Sequence, residues 1–334
     1  MTEENTKKIY RNSKKEKAEK KKLLDEAKYK IILFYRYIKI GEENLKTMMS
    51  TEKAVCDVLG LKGRLILSRE GINGTIEGEN DKIEVYKKHI LSYKHFKRMN
   101  IKESVGNGES FPKMKVKIKD EIVSTKYPSH IDPTIKTGKH INAKEVKKMF
   151  QKDEEFYVVD MRNDYELKAG HFKNTINADW PMKAARELPE LVKNLEPYKD
   201  KKILTVCTGG VRCEKMSAYL LDQGFKDVSQ LHNGIHTYMQ QFPGEDFKGT
   251  LYTFDNRMTM DFGGIREKIG ECHNCKTTTE DFSHCSFQMC HSHLLVCKDC
   301  QKDKVYCTPK CIEDEKNWSL KIQKQMANSL AGEQ

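Results

Sequence analysis

Lys202-Ile203-Leu204-Thr205-Val206 is a short run of apolar and β-branched residues, the pattern of a buried strand, and it leads directly into Cys207. Thr208-Gly209-Gly210-Val211-Arg212 follows, and an amphipathic helix opens at about Cys213. A strand that passes through a tight glycine loop into a helix is half of a parallel α/β unit, so this segment commits its surroundings to a parallel sheet. Sites in such sheets form beyond the carboxyl ends of the strands, which is where Cys207 lies. The first N–H groups of the following helix lack intrahelical partners, and the positive end of its dipole is close by. Both favour the thiolate, and Arg212 adds a full positive charge. Cys207 is therefore the expected nucleophile, with Arg212 and Cys213 as the other catalytic candidates. Thr208, Gly209, Gly210 and Val211 form the loop around it. Cys213 is either a resolving thiol for an oxidised Cys207 or a small residue tucked at a helix start.

Around this core the pattern divides. Lys30 to Tyr37, Gly63 to Leu67 and Gly71 to Ile76 have strand character, and Asn44 to Leu59 and Asp81 to Leu91 have helical spacing. Met114 to Ile118 with Glu121 to Val123 supplies a last extended piece. The order β-α-β-β-α-β is that of a ferredoxin-like, split βαβ domain. The expected chain is thus multidomain, mixing α/β and α+β classes. A basic arm covers 1–29, the ferredoxin-like domain 30–126, and a linker with a lead-in helix 127–152. The parallel-sheet domain covers 153–247, a connector 248–270, a cysteine-rich module 271–315 and a tail 316–334.

Eight of the eleven cysteines lie between Cys272 and Cys311. They fall into pairs, Cys272 with Cys275, Cys285 with Cys290, Cys297 with Cys300 and Cys307 with Cys311. Paired thiolates at such spacing meet a tetrahedral ion, and eight suit two structural zinc sites. The metal would supply folding energy that so polar a segment lacks. A redox cluster or an iron–sulfur site is the competing reading. Alternation of the first pair with the third and the second with the fourth is one possible grouping. With no secretory signal or apolar run of membrane-spanning length, the chain is expected to be cytoplasmic, without a membrane partner. The net charge of +11 favours a polyanion. Arg69, Lys113, Lys115 and Lys117 are the candidate RNA contacts, the lysines alternating on one strand face; a solvated outer face is the plainer reading of each. Tyr252, Phe254 and Phe262 are candidate stacking residues or core. His130 and Asp132, with His140, have the spacing of a facial iron triad, but the pattern is short and recurs by chance.

Val159-Asp160-Met161-Arg162, Tyr165-Glu166 and Gly170-His171-Phe172-Lys173-Asn174-Thr175-Ile176-Asn177 resemble the entry signature of rhodanese domains. That resemblance implies a persulfide on Cys207, with Asp160 and Arg162 bracing the loop. The spacing from Cys207 to Arg212 is one residue shorter than in a tyrosine-phosphatase loop, which makes a phosphatase the weaker reading. Ser68-Arg69-Glu70-Gly71-Ile72-Asn73-Gly74-Thr75, the CTGGVRCEK loop and the cysteine-rich tail together resemble the bacterial tRNA uridine hydroxylases, from about Lys30 to Cys311. The resemblance implies a tRNA partner rather than DNA, and molecular oxygen as co-substrate. It also implies 5-hydroxylation of the wobble uridine at position 34, with a sulfur or electron donor protein as a possible further partner. The alternatives are a rhodanese-type sulfurtransferase and a zinc-stabilised RNA-binding protein with a non-catalytic rhodanese scaffold.

Overall fold

The computed structural model describes residues 18, 19 and 21–331; most of the basic arm and residues 332–334 lie outside the described residues. Five strands build the first sheet: β1 (Tyr29–Tyr37), β2 (Lys62–Ser68), β3 (Gly71–Glu79), β4 (Ile101–Val105) and β5 (Met114–Ile118), in the order β4-β1-β3-β2-β5. Helices α1 (Glu42–Val58) and α2 (Asn80–Ser92) pack on one face, over a core of Ile32, Phe34, Leu65, Leu67, Ile72, Ile76 and Tyr86. The split βαβ order is as expected, but its last strand is β4. Met114–Ile118 is instead a fifth strand, pairing parallel with β2, and Glu121 to Val123 forms no strand. The Ile-Lys-Glu-Ser-Val sequence of β4 hides it, because a charged edge strand carries little apolar signal.

The second sheet is parallel throughout. Its strands are β6 (Lys139–Ile141), β7 (Tyr157–Asp160), β9 (Lys202–Val206) and β10 (Asp227–Leu231), in the order β6-β10-β9-β7. β6 lies within the stretch read as linker. A short β8 (Gly170–Phe172) pairs with β11 (Phe247–Gly249) instead. Residues alternate between the two faces of each strand, so each face of this sheet has its own core. Val159, Ile203, Met216 and Leu220 lie in one core, and Val158, Leu204, Val206 and Tyr238 in the other. Around it lie α3 (Ala143–Gln151), α4 (Asp164–Ala169), α5 (Leu188–Leu195), α6 (Val211–Asp222) and α7 (Gly234–Gln241). The cysteine-rich segment follows, with one hairpin (Phe282–His284 against His293–Leu295), and then α8 (Pro309–Ala331). No helix among the described residues is long and apolar enough to cross a membrane.

Candidate active site

Cys207 follows the last residue of β9 and is fully buried. The turn beyond it is fixed by backbone geometry. Gly210 has φ +99°, a left-handed conformation that glycine adopts without strain, and its N–H donates to Cys207 Sγ at 3.2 Å. From the other side the N–H groups of Ile235 and His236 donate to the carbonyls of Cys207 and Thr208 at 2.9 and 3.1 Å. Their approach requires Gly234, where a Cβ would stand 2.6 Å from both oxygens. The helix α6 starts at Val211, two residues earlier than its sequence pattern suggests, so its unpaired N–H groups point into the loop.

Arg212 is held by Glu166 of α4 in a bidentate pair, Nη1 to Oε2 at 2.7 Å and Nη2 to Oε1 at 3.0 Å. Nη2 also donates to Thr208 Oγ1 at 3.1 Å, and the Thr208 hydroxyl donates to Glu166 Oε1 at 3.2 Å, which closes the ring. Asp160 and Arg162, the expected braces, form a fully buried pair at the end of β7, with Arg162 Nη2 at 2.6 Å from both Asp160 Oδ2 and the Gly170 carbonyl. Between them the Met161 N–H donates to the Val206 carbonyl at 2.8 Å, tying that pair to the strand that presents Cys207.

The first domain closes the site. Tyr35 donates to Glu214 Oε1 at 3.1 Å, and the Tyr37 hydroxyl donates to the Val211 carbonyl at 3.2 Å. A Cβ on Gly209 would meet Leu33 at 2.8 Å, and one on Gly210 the Tyr35 hydroxyl at 2.8 Å, so the sheet lies directly on the loop. Lys215 reaches back to Glu70 and Glu121 at 2.7 and 2.5 Å.

The candidate RNA contacts sit apart from Cys207 but not at random. Strand pairing places Lys102, Leu33, Thr75, Arg64 and Lys115 in one row across the first sheet. Opposed residues share a face, so Lys115, and Lys117 two residues on, lie on the face that covers the loop. Three strand spacings of ~4.8 Å separate Leu33 from Lys115. Lys113 is exposed just before β5, and Arg69 is exposed at the β2–β3 turn, paired with Glu42. Of the aromatic candidates, Tyr252 is core, hydrogen-bonded to His293 Nδ1 at 3.0 Å. Phe254 is exposed, with Arg212 5.4 Å above its ring, and Phe262 is buried 5.4 Å from His236. The facial triad does not assemble: His130 pairs with Asp222, Asp132 with Lys39 and Thr134, and His140 with Glu214.

The tail cysteines gather into two groups, Cys272, Cys275, Cys297 and Cys300 in one and Cys285, Cys290, Cys307 and Cys311 in the other. This is the alternating arrangement. Sulfur separations of 3.6 Å (Cys275–Cys297), 3.6 Å (Cys290–Cys307) and 3.4 Å (Cys307–Cys311) are close to the ~3.8 Å edge of a tetrahedron with metal–sulfur bonds of ~2.3 Å. The Cys297 N–H donates to Cys272 Sγ at 3.3 Å, as a thiolate at a metal needs. The donor set fits a soft, tetrahedral ion.

Residues 29–122 match the UPF0176 acylphosphatase-like domain, 142–241 the rhodanese-like domain, and 248–312 the rhodanase C-terminal domain. A tRNA uridine(34) hydroxylase from Cytophaga hutchinsonii is 38% identical over 285 residues, covering 85% of this chain and 89% of that protein. One from Bacillus velezensis is 36% identical over 308 residues, 89% of this chain and 92% of that protein. A third, from Staphylococcus carnosus, is 35% identical over 294 residues, 86% and 91% of the two chains. The chain belongs to the tRNA uridine(34) hydroxylase family.

In this member of the family, burial pushes the Cys207 thiol up, but other contacts outweigh it. The Cys213 thiol, the Arg212 charge and the N–H groups of Cys213 and Gly210 bring it below the ordinary thiol value, to about 6. Burial and the neighbouring Cys207 push Cys213 the other way, well up, so one sulfur of the pair is the anion. The thiolate adds stability that is fully present above the unfolded value of ~8.5 and is lost as pH falls through about 6. The difference in 240 nm thiolate absorbance between wild type and Cys207→Ser should show a single step centred at about 6. A step at the ordinary thiol value would contradict the cradle. Reading the hydroxylase sequence alone missed Lys102 and His236, which face this site from β4 and α7. Their side chains carry buried atoms without partners among the described residues, a property that only the folded arrangement creates.

Proposed function

We propose that this chain hydroxylates C5 of uridine 34 in tRNA, with molecular oxygen as co-substrate and Cys207 as the nucleophile. The observation that carries the reading is a thiolate-prone cysteine sealed between two domains, one of which brings a row of cations across its face toward it. Addition of the Cys207 thiolate to C6 of the uracil forms an S–C6 bond and sends the C5=C6 electron pair onto O4 as an enolate. C5 thereby becomes the nucleophile that an oxidant can meet. One oxygen atom ends on C5 and the other in water, with two electrons and two protons supplied by a reductant of the dithiol class. Loss of the C5 proton and departure of Cys207 from C6 restore the ring. Arg212, locked to Glu166, keeps the cradle positive without itself needing to reach the base. Arg69, Lys113, Lys115 and Lys117 hold RNA phosphates, and the tRNA substrate places the reaction in the cytoplasm.

The test is nucleoside mass spectrometry of tRNA incubated with the full chain and a dithiol under labelled oxygen gas. Hydroxyuridine carrying the label is the expected product; label arriving from water instead, or no hydroxyuridine, would sink the reading. Thiocyanate formation from thiosulfate and cyanide, without hydroxyuridine, would make the rhodanese-type sulfurtransferase the function.

We assign structural zinc to the two cysteine groups. Elemental analysis should find two zinc ions per chain, one per group of four thiolates. Removing them with a strong chelator should unfold the cysteine-rich module, because binding energy of this kind is folding energy. Retention of its near-ultraviolet spectrum after metal loss would contradict the assignment.

A further inference from the structure

We propose that Lys102 and His236 together read the O4–N3 edge of the target uracil beside Cys207. The proposal rests on the hydroxylase reading and adds the groups that choose the base. Lys102 is 6% exposed and His236 is 5% exposed, and they belong to different domains. Both border the Cys207 loop: Lys102 is paired across the sheet with Leu33, which lies against Gly209, and feels the Cys207 charge, and the His236 N–H donates to the Thr208 carbonyl. Neither Lys102 Nζ nor His236 Nδ1 has a hydrogen-bond partner among the described residues. An ammonium without an acceptor is among the costliest groups to bury, so its place beside the nucleophile points to a ligand that supplies the acceptor. Nζ lies over the Tyr35 ring, 5.3 Å from its centroid.

Burial, reinforced by the charges of Lys102 and Arg257, pushes His236 down to about 3, so the imidazole is neutral at physiological pH. Burial also lowers Lys102, to about 8, while the charges of Cys207 and Glu214 hold it up. The pair therefore offers an ammonium that only donates and, with Nε2 protonated, an imidazole nitrogen that accepts. Uracil presents the complement, a carbonyl acceptor at O4 beside an N3–H donor. Cytosine presents the reverse, an amino donor beside a bare N3, and leaves both protein groups unpaired. A phosphate would suit the ammonium but would set its oxygens against the lone pair of His236. When the thiolate adds at C6, negative charge arrives on O4, where Lys102 already stands; that interaction is stronger in the transition state than in the ground state. Leu33 and Tyr35 lie against the loop, so they must part from it for the base to enter.

The test uses the full chain with anticodon stem-loop RNA carrying uridine or cytidine at position 34. Lys102→Met should lower kcat by ~100-fold or more. Its Tm should stay level or rise, since an unpaired buried charge has been removed. The thiolate step of Cys207 should rise slightly, because the Lys102 charge and the thiolate stabilise one another. Lys102→Gln, which keeps a donor but no charge, should fall between the two. The cytidine stem-loop should inhibit wild type at least ~10-fold less tightly than the uridine one binds, and His236→Leu should erase that ratio. A Lys102→Met enzyme within ~3-fold of wild-type kcat would overturn the proposal. So would a loss of rate fully recovered at a pH above the shifted Cys207 step, because Lys102 would then act only through the sulfur. Wild type failing to hydroxylate the uridine stem-loop would instead bring down the hydroxylase reading itself.

Discussion

Replacing Glu166 with alanine is expected to cost the protein about 3–5 kcal/mol of stability, because it leaves Arg212 a buried cation without its counter-charge. Glu166 is fully buried and Arg212 is 8% exposed, so water cannot take over the role. Burial pushes the Glu166 carboxyl up, but the charge and hydrogen bonds of Arg212, helped by Arg162 and the Asn163 N–H, outweigh it and hold it below the ordinary carboxylate range. Its contribution is present in full above the unfolded value of ~4.3 and is lost as pH falls through the lowered folded value. Urea denaturation at neutral pH measures the loss as a shift of midpoint at constant slope. Arg212→Ala should destabilise in the same way by stranding Glu166. The double variant should then cost less than the sum of the two, which separates the pair from its surroundings. A loss below ~1 kcal/mol would mean that the pair behaves like a surface bridge.

The second large effect is chemical. Cys207→Ser should abolish hydroxylation, by at least ~10³-fold, because a serine hydroxyl does not ionise where a cradled thiol does. The substitution keeps the side-chain volume close to that of cysteine and leaves the loop's backbone bonds in place, so the melting temperature should change little below about pH 6 and fall modestly above it, where the thiolate's own contribution is lost. Hydroxyuridine formation by Cys207→Ser near the wild-type rate would support the remaining reading, in which the rhodanese fold is only a scaffold for RNA binding.

What could be read from the chain in advance was whatever local pattern dictates. The β9–Cys207–α6 junction announces itself because an apolar strand, two glycines and a helix follow one another within a few residues. The cysteine pairs do the same through spacing, although their grouping awaited the fold. Features made by distant segments were silent. Glu166 and Arg212 are 46 residues apart and meet only because α4 and α6 flank the same loop. Lys102 looks like one more solvated charge in a polar stretch. It becomes buried only when β4 pairs with β1 and the first sheet settles on the second domain. The lysines of β5 were legible as a stripe, but whether the stripe faced Cys207 depended on a register across four strands.

The tyrosines of β1 that grip α6 carry a further consequence. Tyr35 and Tyr37 hold Glu214 and Val211 from 179 and 174 residues away, and Leu33 lies over Gly209. The rhodanese half, expressed by itself, would therefore present a different sulfur: hydrated, open to peroxide and other soluble oxidants, and free of Lys102. Its reactivity would describe a dissected fragment. The shelter around the Cys207 thiolate is built by the neighbouring domain, so a boundary drawn between the two halves of this chain cuts through the candidate site.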